Sequence, residues 1–216
     1  MAPRSGRQDT KRRRARRPGR SSRPARQAAQ APSRRLHNLP AELTTFIGRE
    51  REIAEIARLL ASTRLLTLTG AGGSGKTRLA LRLAAGVLGA YPDGVWFVDL
   101  APVTDAALVP NSVALALDAP EQPTQPLADT LAEYLRTKTL LLVLDNCEHL
   151  GDACQMLANR LLRDSPGLRI LATSREVLGV DGEATYGVPP LRVPQVHEAP
   201  PETDLAQYDA VRLFTE

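Results

Sequence analysis

Apolar residues recur along the chain in two rhythms, and the switching between them predicts the order of elements. Across residues 48–62, Ile53, Ile56, Leu59 and Leu60 fall at helical spacing with Glu and Arg on the other face, which predicts an amphipathic helix. The next apolar run, Leu65 to Thr69, is short and reads as a strand. A Gly-rich turn follows it, and Leu79, Leu83 and Val87 then form one stripe of a helix over residues 75–88. Three more short apolar runs, at residues 95–100, 140–145 and 168–173, predict strands, with helical stretches between them near 105–117, 127–138 and 149–163. A fifth strand is placed at 184–188, before the Pro189-Pro190 break, and a last helix is expected over 204–216.

The strands are apolar throughout instead of alternating, which implies burial on both faces. That pattern predicts a mainly parallel five-stranded sheet between two helical layers, joined by right-handed crossovers. The fold class is α/β with three layers.

Charge divides the chain. Residues 1–35 hold 13 of the 28 Lys and Arg against a single acid, Asp9, a net of +12, whereas the remainder has 15 basic against 23 acidic residues, a net of −8. Rich in Arg, Ser, Pro, Gln and Ala, residues 1–37 have too little apolar surface to offset the entropy of ordering, and they are expected to be a disordered basic tail. Such a tail offers phosphate-neutralising, sequence-independent contact with nucleic acid. The folded unit is expected to run from residue 38 to 216, where 43% apolar content over the whole chain supports one sizeable core.

Cys147 and Cys154 lie seven apart in what reads as one helix, and two cysteines suit a reducing compartment better than a disulfide framework. The basic N-terminus is followed by no signal-peptide core, and no run of eighteen apolar residues occurs. A cytoplasmic protein without membrane attachment is expected.

The chemistry is concentrated after the first strand. Gly70, Ala71, Gly72, Gly73, Ser74, Gly75, Lys76 and Thr77 satisfy Gly-x4-Gly-Lys-Thr, in which glycines let backbone N–H groups converge on phosphate oxygens. Strand before and helix after is the setting such a P-loop requires, and the helix aims its positive end at the same anion. Lys76 is expected to reach the β- and γ-phosphates and the Thr77 hydroxyl to ligate magnesium, with Arg78 counted in the phosphate-binding set. ATP or ADP with Mg2+ is the expected cofactor.

The run Leu140-Leu141-Leu142-Val143-Leu144-Asp145 reads as a Walker B strand whose Asp145 holds the magnesium through water. Asn146 follows it, so an acid immediately adjacent is missing; Glu148 is the residue placed to orient a water. Arg175, after Thr173 and Ser174 at the end of the fourth strand, stands at the edge where open α/β sheets bind ligands, and it is placed as a sensor of the γ-phosphate.

In order, Asn38-Leu39-Pro40, Phe46-Ile47-Gly48-Arg49-Glu50, GAGGSGKTRLA, YPDGVWFVDLAP, LLLVLDNCEHL and ILATSRE resemble bacterial signal-transduction NTPases of the STAND class, in the NB-ARC-like branch of AAA-like P-loop NTPases. The resemblance covers residues 38–216. It implies an ATP/ADP switch within larger regulators, often transcriptional activators, with slow hydrolysis. It also implies that Ile47 and Gly48 face the adenine and that Arg175 is the sensor arginine. Members continue into a helical lid, a winged helix and helical repeats. None of these follows Glu216 and no effector domain precedes Asn38, so a nucleotide-binding domain alone is expected, completed by self-association or by a lid from another chain. Weak ATPase activity stays open. Two other readings remain beside it: non-specific nucleic-acid binding through residues 1–35, and a small-molecule kinase on the same scaffold. No Asn-Lys-x-Asp motif supports a GTPase.

Overall fold

The structure is a computed structural model and describes residues 36–41, 46, 48–120 and 122–190. The basic residues 1–35, Ile47 and the expected helix at 204–216 lie outside the described residues. In chain order the elements are α1 (Glu50–Ser62), β1 (Leu65–Thr69), α2 (Lys76–Gly86), β2 (Val95–Asp99), α3 (Val109–Leu117), α4 (Leu127–Leu135), β3 (Leu140–Asp145), α5 (Gly151–Asp164), β4 (Leu168–Thr173) and β5 (Ala184–Gly187). Short 3-10 turns stand at Leu88–Ala90, Ala106–Leu108 and Cys147–Leu150.

The five strands form one sheet in the order β2-β3-β4-β1-β5, and every pairing is parallel. β3 shows why its apolar run does not alternate: all six of its residues are buried. Leu140, Leu142 and Leu144 join the core under α3, α4 and α5, whereas Leu141 and Val143 join the core under α1 and α2. Successive apolar residues of β3 thus feed the two cores alternately, at about 1.5–3 kcal/mol per fully buried aliphatic side chain. The expected three-layer α/β P-loop NTPase fold is the one observed.

Element boundaries shift where the backbone turns left-handed. α1 begins at Glu50 and not at Gly48, because Gly48 and Arg49 have φ of 68° and 66°. The helix expected over 149–163 is preceded by a separate turn, Cys147–Leu150, entered through Asn146 at φ 61°. Cys147 and Cys154 are therefore not on one regular helix, and both are buried free thiols. Their mutual hydrogen bond, together with burial, pushes the Cys147 thiol well above its ordinary value. α4 stops at Leu135, short of the expected Lys138.

Chain assigned to the basic tail also carries structure. Leu36 O accepts from Val95 N at 2.9 Å, and His37 pairs with Val95 as a parallel bridge, so Leu36 and His37 lie along the edge of β2. Asn38 continues this: its Nδ2 donates to Phe97 O at 2.8 Å and its Oδ1 accepts from Phe97 N at 2.6 Å. An edge strand that would present unpaired backbone groups is covered in this way.

Candidate functional site

β1, between β4 and β5 in the sheet, ends at Thr69, and the chain turns at once through the 70–77 loop into α2. Gly70, Gly73 and Gly75 have φ of 149°, 76° and 86°, values that side-chain-bearing residues avoid. At Gly70 a Cβ would also lie 3.1 Å from Val188 O, so the segment leaving β5 closes against the loop's first residue. Ser74 N donates to Ala71 O at 3.2 Å, which tightens the turn. The first N–H groups of α2 have no partner within the helix and give its start a partial positive charge.

Lys76 is 9% exposed, and its Nζ donates to Gly70 O at 2.9 Å and Ala71 O at 3.0 Å. Its ammonium is thus held across the mouth of the loop. Thr77, one residue on, donates from Oγ1 to Asp145 Oδ1 at 2.8 Å, with Oδ2 at 3.0 Å. The loop and the end of β3 meet at this contact.

Asp145 is 2% exposed and is held by two further groups. Thr173 Oγ1 donates to Oδ1 at 2.5 Å, and Asn146 Nδ2 donates to Oδ2 at 3.0 Å. Thr173 Oγ1 also accepts from Asn146 N at 3.0 Å. Burial pushes the Asp145 carboxyl above its ordinary value; the hydroxyls of Thr173 and Thr77 work against this, and the neighbouring Asp99 and Glu148 charges add to it. A buried carboxylate beside a hydroxyl, both offering oxygens, is the donor type that hard cations prefer.

Glu148 sits on the turn after β3, where its Oε1 lies 3.4 Å from Arg175 Nε. Arg175 in turn reaches the loop: a Cβ on Gly72 would be 3.8 Å from its Nη2. Lys76, Thr77, Asp145, Glu148 and Arg175 are therefore brought to one edge of the sheet, the carboxyl ends of β1, β3 and β4. Gly48 and its neighbour in sequence Arg49 are both buried. The exposed Arg78 guanidinium lies 6.0 Å from the Phe46 ring centroid, with that of Arg82 at 5.9 Å from the same ring.

Sequence reasoning gave no role to two residues that the structure sets in this site. In the sequence Thr173 marks only the end of a strand. Arg49, which the motif carries without a role of its own, is 8% exposed, and among the described residues its Nη1 has no hydrogen-bond partner. Within the loop, Ser74 Oγ is a second buried polar atom that has no hydrogen-bond partner among the described residues. A buried orphan donor has no signature in one sequence. Among the described residues no helix is long and apolar enough to cross a membrane.

A family model described as "AAA domain" matches residues 59–178. The chain is 46% identical over 155 residues to an uncharacterised protein of Mycobacterium tuberculosis, a match covering 72% of this chain and 39% of that protein. It is 47% identical over 135 residues to a putative HTH-type transcriptional regulator of the same organism, covering 62% of this chain and 15% of the regulator. The chain thus spans well under half the length of the relatives it matches. Among solved structures, one of Drosophila ORC bound to DNA superposes with a TM-score of 0.50 at 18% identity, over 65% of this chain and 42% of that one. That likeness is one of fold.

Proposed function

The chain belongs to the AAA domain family, and from that premise we propose that it is the ATP- and ADP-binding module of a regulatory signal-transduction ATPase, NB-ARC-like within the STAND class and serving transcriptional control. The observation that carries the reading is the contact of Thr77 Oγ1 with both oxygens of Asp145, because it joins a phosphate loop to a second acidic oxygen donor. Similarity to a putative HTH-type transcriptional regulator supports the regulatory part.

The residues fit a magnesium nucleotide. Gly73 and Gly75 leave the loop backbone open, with no heavy atom within 4 Å of a Cβ at Gly73, and the partnerless Ser74 Oγ and Arg49 Nη1 border it. Lys76 would exchange the carbonyls of Gly70 and Ala71 for β- and γ-phosphate oxygens. Thr77 and Asp145 would hold the ion. The bound nucleotide supplies the phosphoanhydride that water attacks. Glu148 would orient that water and Arg175 would report the γ-phosphate, but the two are engaged with each other. Asn146, directly after Asp145, spends its amide on Asp145. Both engagements support a reading of slow turnover.

A thermal-shift titration with ATP-Mg and ADP-Mg, beside Lys76→Ala, tests the reading, since a ligand that binds only the folded state stabilises it by mass action. Wild type should shift by several degrees and the variant should not. A folded wild type that fails to shift at millimolar nucleotide defeats the proposal.

The +12 charge of residues 1–35 supports a second, separable activity, non-specific binding of nucleic acid. Deleting those residues should abolish a salt-sensitive DNA mobility shift and leave nucleotide binding intact.

A further inference from the structure

α5 buries one face and leaves the other bare. Cys154, Leu157, Ala158, Leu161 and Leu162 fill the core, whereas Asp152, Met156 and Arg163 are exposed and Asn159 is half-buried. These last four follow one another at intervals of four, three and four residues, which keeps them on a single stripe of the helix. Asp152 and Arg163 stand at its two ends, about three turns apart. Among the described residues neither side chain has an ion-pair partner, whereas Arg160 beside them is engaged by Asp129 and Asp164. Along one side of the stripe runs a groove of about 740 Å³, lined by Ala106, Ala107, Pro110, Ala128, Ala153 and Leu157. Met156 stands at its rim with 73% of its surface exposed. The stripe is also symmetric in a specific sense: Asp152 and Arg163 are centred between Leu157 and Ala158, and so are Met156 and Asn159.

We propose that this face of α5 is a self-association surface, on which a second copy of the chain lays its own α5 antiparallel about a two-fold axis through that shared midpoint. An isologous contact brings one patch against itself, so each residue of the stripe meets the one at the mirrored distance from the axis. Asp152 then faces Arg163 of the second copy, Arg163 faces its Asp152, and Met156 meets Asn159 twice between them. Like charges at the two ends would repel in this arrangement, whereas the opposite charges present here attract at both. The groove supplies the burial: its small side chains leave room for the flexible Met156 thioether of the other copy. Charge sets orientation and register, and the apolar contact holds the pair. Neither stripe nor groove includes a residue of the 70–77 loop.

Sedimentation velocity of the full chain over a range of micromolar concentrations tests this, with Asp152→Arg, Arg163→Asp and Met156→Glu beside wild type. All three positions are exposed, so the variants should fold and melt as wild type does. Wild type should pass from monomer to dimer with concentration, and added salt should loosen the dimer. Asp152→Arg sets bases opposite bases at both ends, and Arg163→Asp sets acids opposite acids. Each variant alone should dimerise at least about tenfold more weakly, since facing like charges repel. Met156→Glu should weaken the dimer as well. Mixed in equal amounts, Asp152→Arg and Arg163→Asp should dimerise again, because the bases of one then face the acids of the other. A wild type that stays monomeric throughout overturns the proposal. So do single variants that dimerise as tightly as wild type, which would place the contact on another face, and a mixture no tighter than its components, which would exclude the antiparallel two-fold pairing.

Discussion

Thr77 Oγ1 lies 2.8 Å from Asp145 Oδ1, so the hydroxyl that opens α2 and the carboxylate that closes β3 share one hydrogen bond across 68 residues of sequence. The carboxylate in that pair is buried, and burial raises its pKa. A carboxyl raised in the fold keeps its proton at a pH where the unfolded chain has lost it. Its contribution is most favourable below the unfolded value and is lost as pH rises through the folded one. At neutral pH the ionised Asp145 therefore weighs against the fold. Asp145→Asn should raise the melting temperature of the ligand-free protein by about 2–4 °C for each kcal/mol relieved, while removing the magnesium-dependent part of nucleotide affinity. Scanning fluorimetry with ADP, in magnesium and in EDTA, measures both, and equal losses in the two buffers would speak against a metal role.

Thr173 is the hub behind that carboxylate, donating to Asp145 Oδ1 and accepting from Asn146 N. Thr173→Val keeps the shape and removes both bonds, leaving a buried carboxylate oxygen and a backbone N–H short of a partner. A loss of about 1–3 kcal/mol is expected. Because the Thr173 hydroxyl holds the Asp145 pKa down, the variant should also lose stability more steeply as pH rises through the upper carboxylate range. Urea unfolding at several pH values checks size and sign together.

Much of this architecture was legible beforehand, and the reason is physical. Strands buried on both faces must be apolar throughout, and Leu140 to Leu144 can hardly be read as anything else. The P-loop is legible because its glycines are demanded by backbone geometry, as the positive φ of Gly70, Gly73 and Gly75 confirms. Element starts were less so: α1 begins two residues late because Arg49 is left-handed, a conformation that no propensity assigns to arginine. The roles of Asn38 and Arg49 depend on partners 59 and 140 residues away, Phe97 and Pro189. Such pairings leave no periodic trace in a single sequence.

Asn38 offers a test of edge protection. Its side-chain amide satisfies both backbone groups of Phe97, on the strand at the sheet's edge. Asn38→Ala should cost about 1–2 kcal/mol and speed hydrogen exchange at the Phe97 amide, with little change at Leu142 in the neighbouring strand. If exchange rises equally in both strands, the amide supports the whole sheet and not its edge.

Glu148 and Arg175 allow stability and chemistry to be separated. Their ion pair spans 3.4 Å, and the arginine side chain is 66% exposed, so solvent screens most of its energy. Glu148→Gln and Arg175→Ala should each leave stability within about 0.5 kcal/mol of wild type. Any change in nucleotide behaviour is then chemical. Arg175→Ala should lose preference for ATP over ADP, because the group aimed across Gly72 at the loop is the one that would read an added phosphate. Glu148→Gln should keep both affinities and lose whatever phosphate release wild type shows, if Glu148 orients the attacking water. Arg175→Ala frees Glu148 from its partner, so a rise in release accompanied by weaker ATP binding would mark the pair as a brake on turnover. Binding and phosphate release unchanged in both variants would remove these two residues from the site and leave it to Lys76, Thr77 and Asp145.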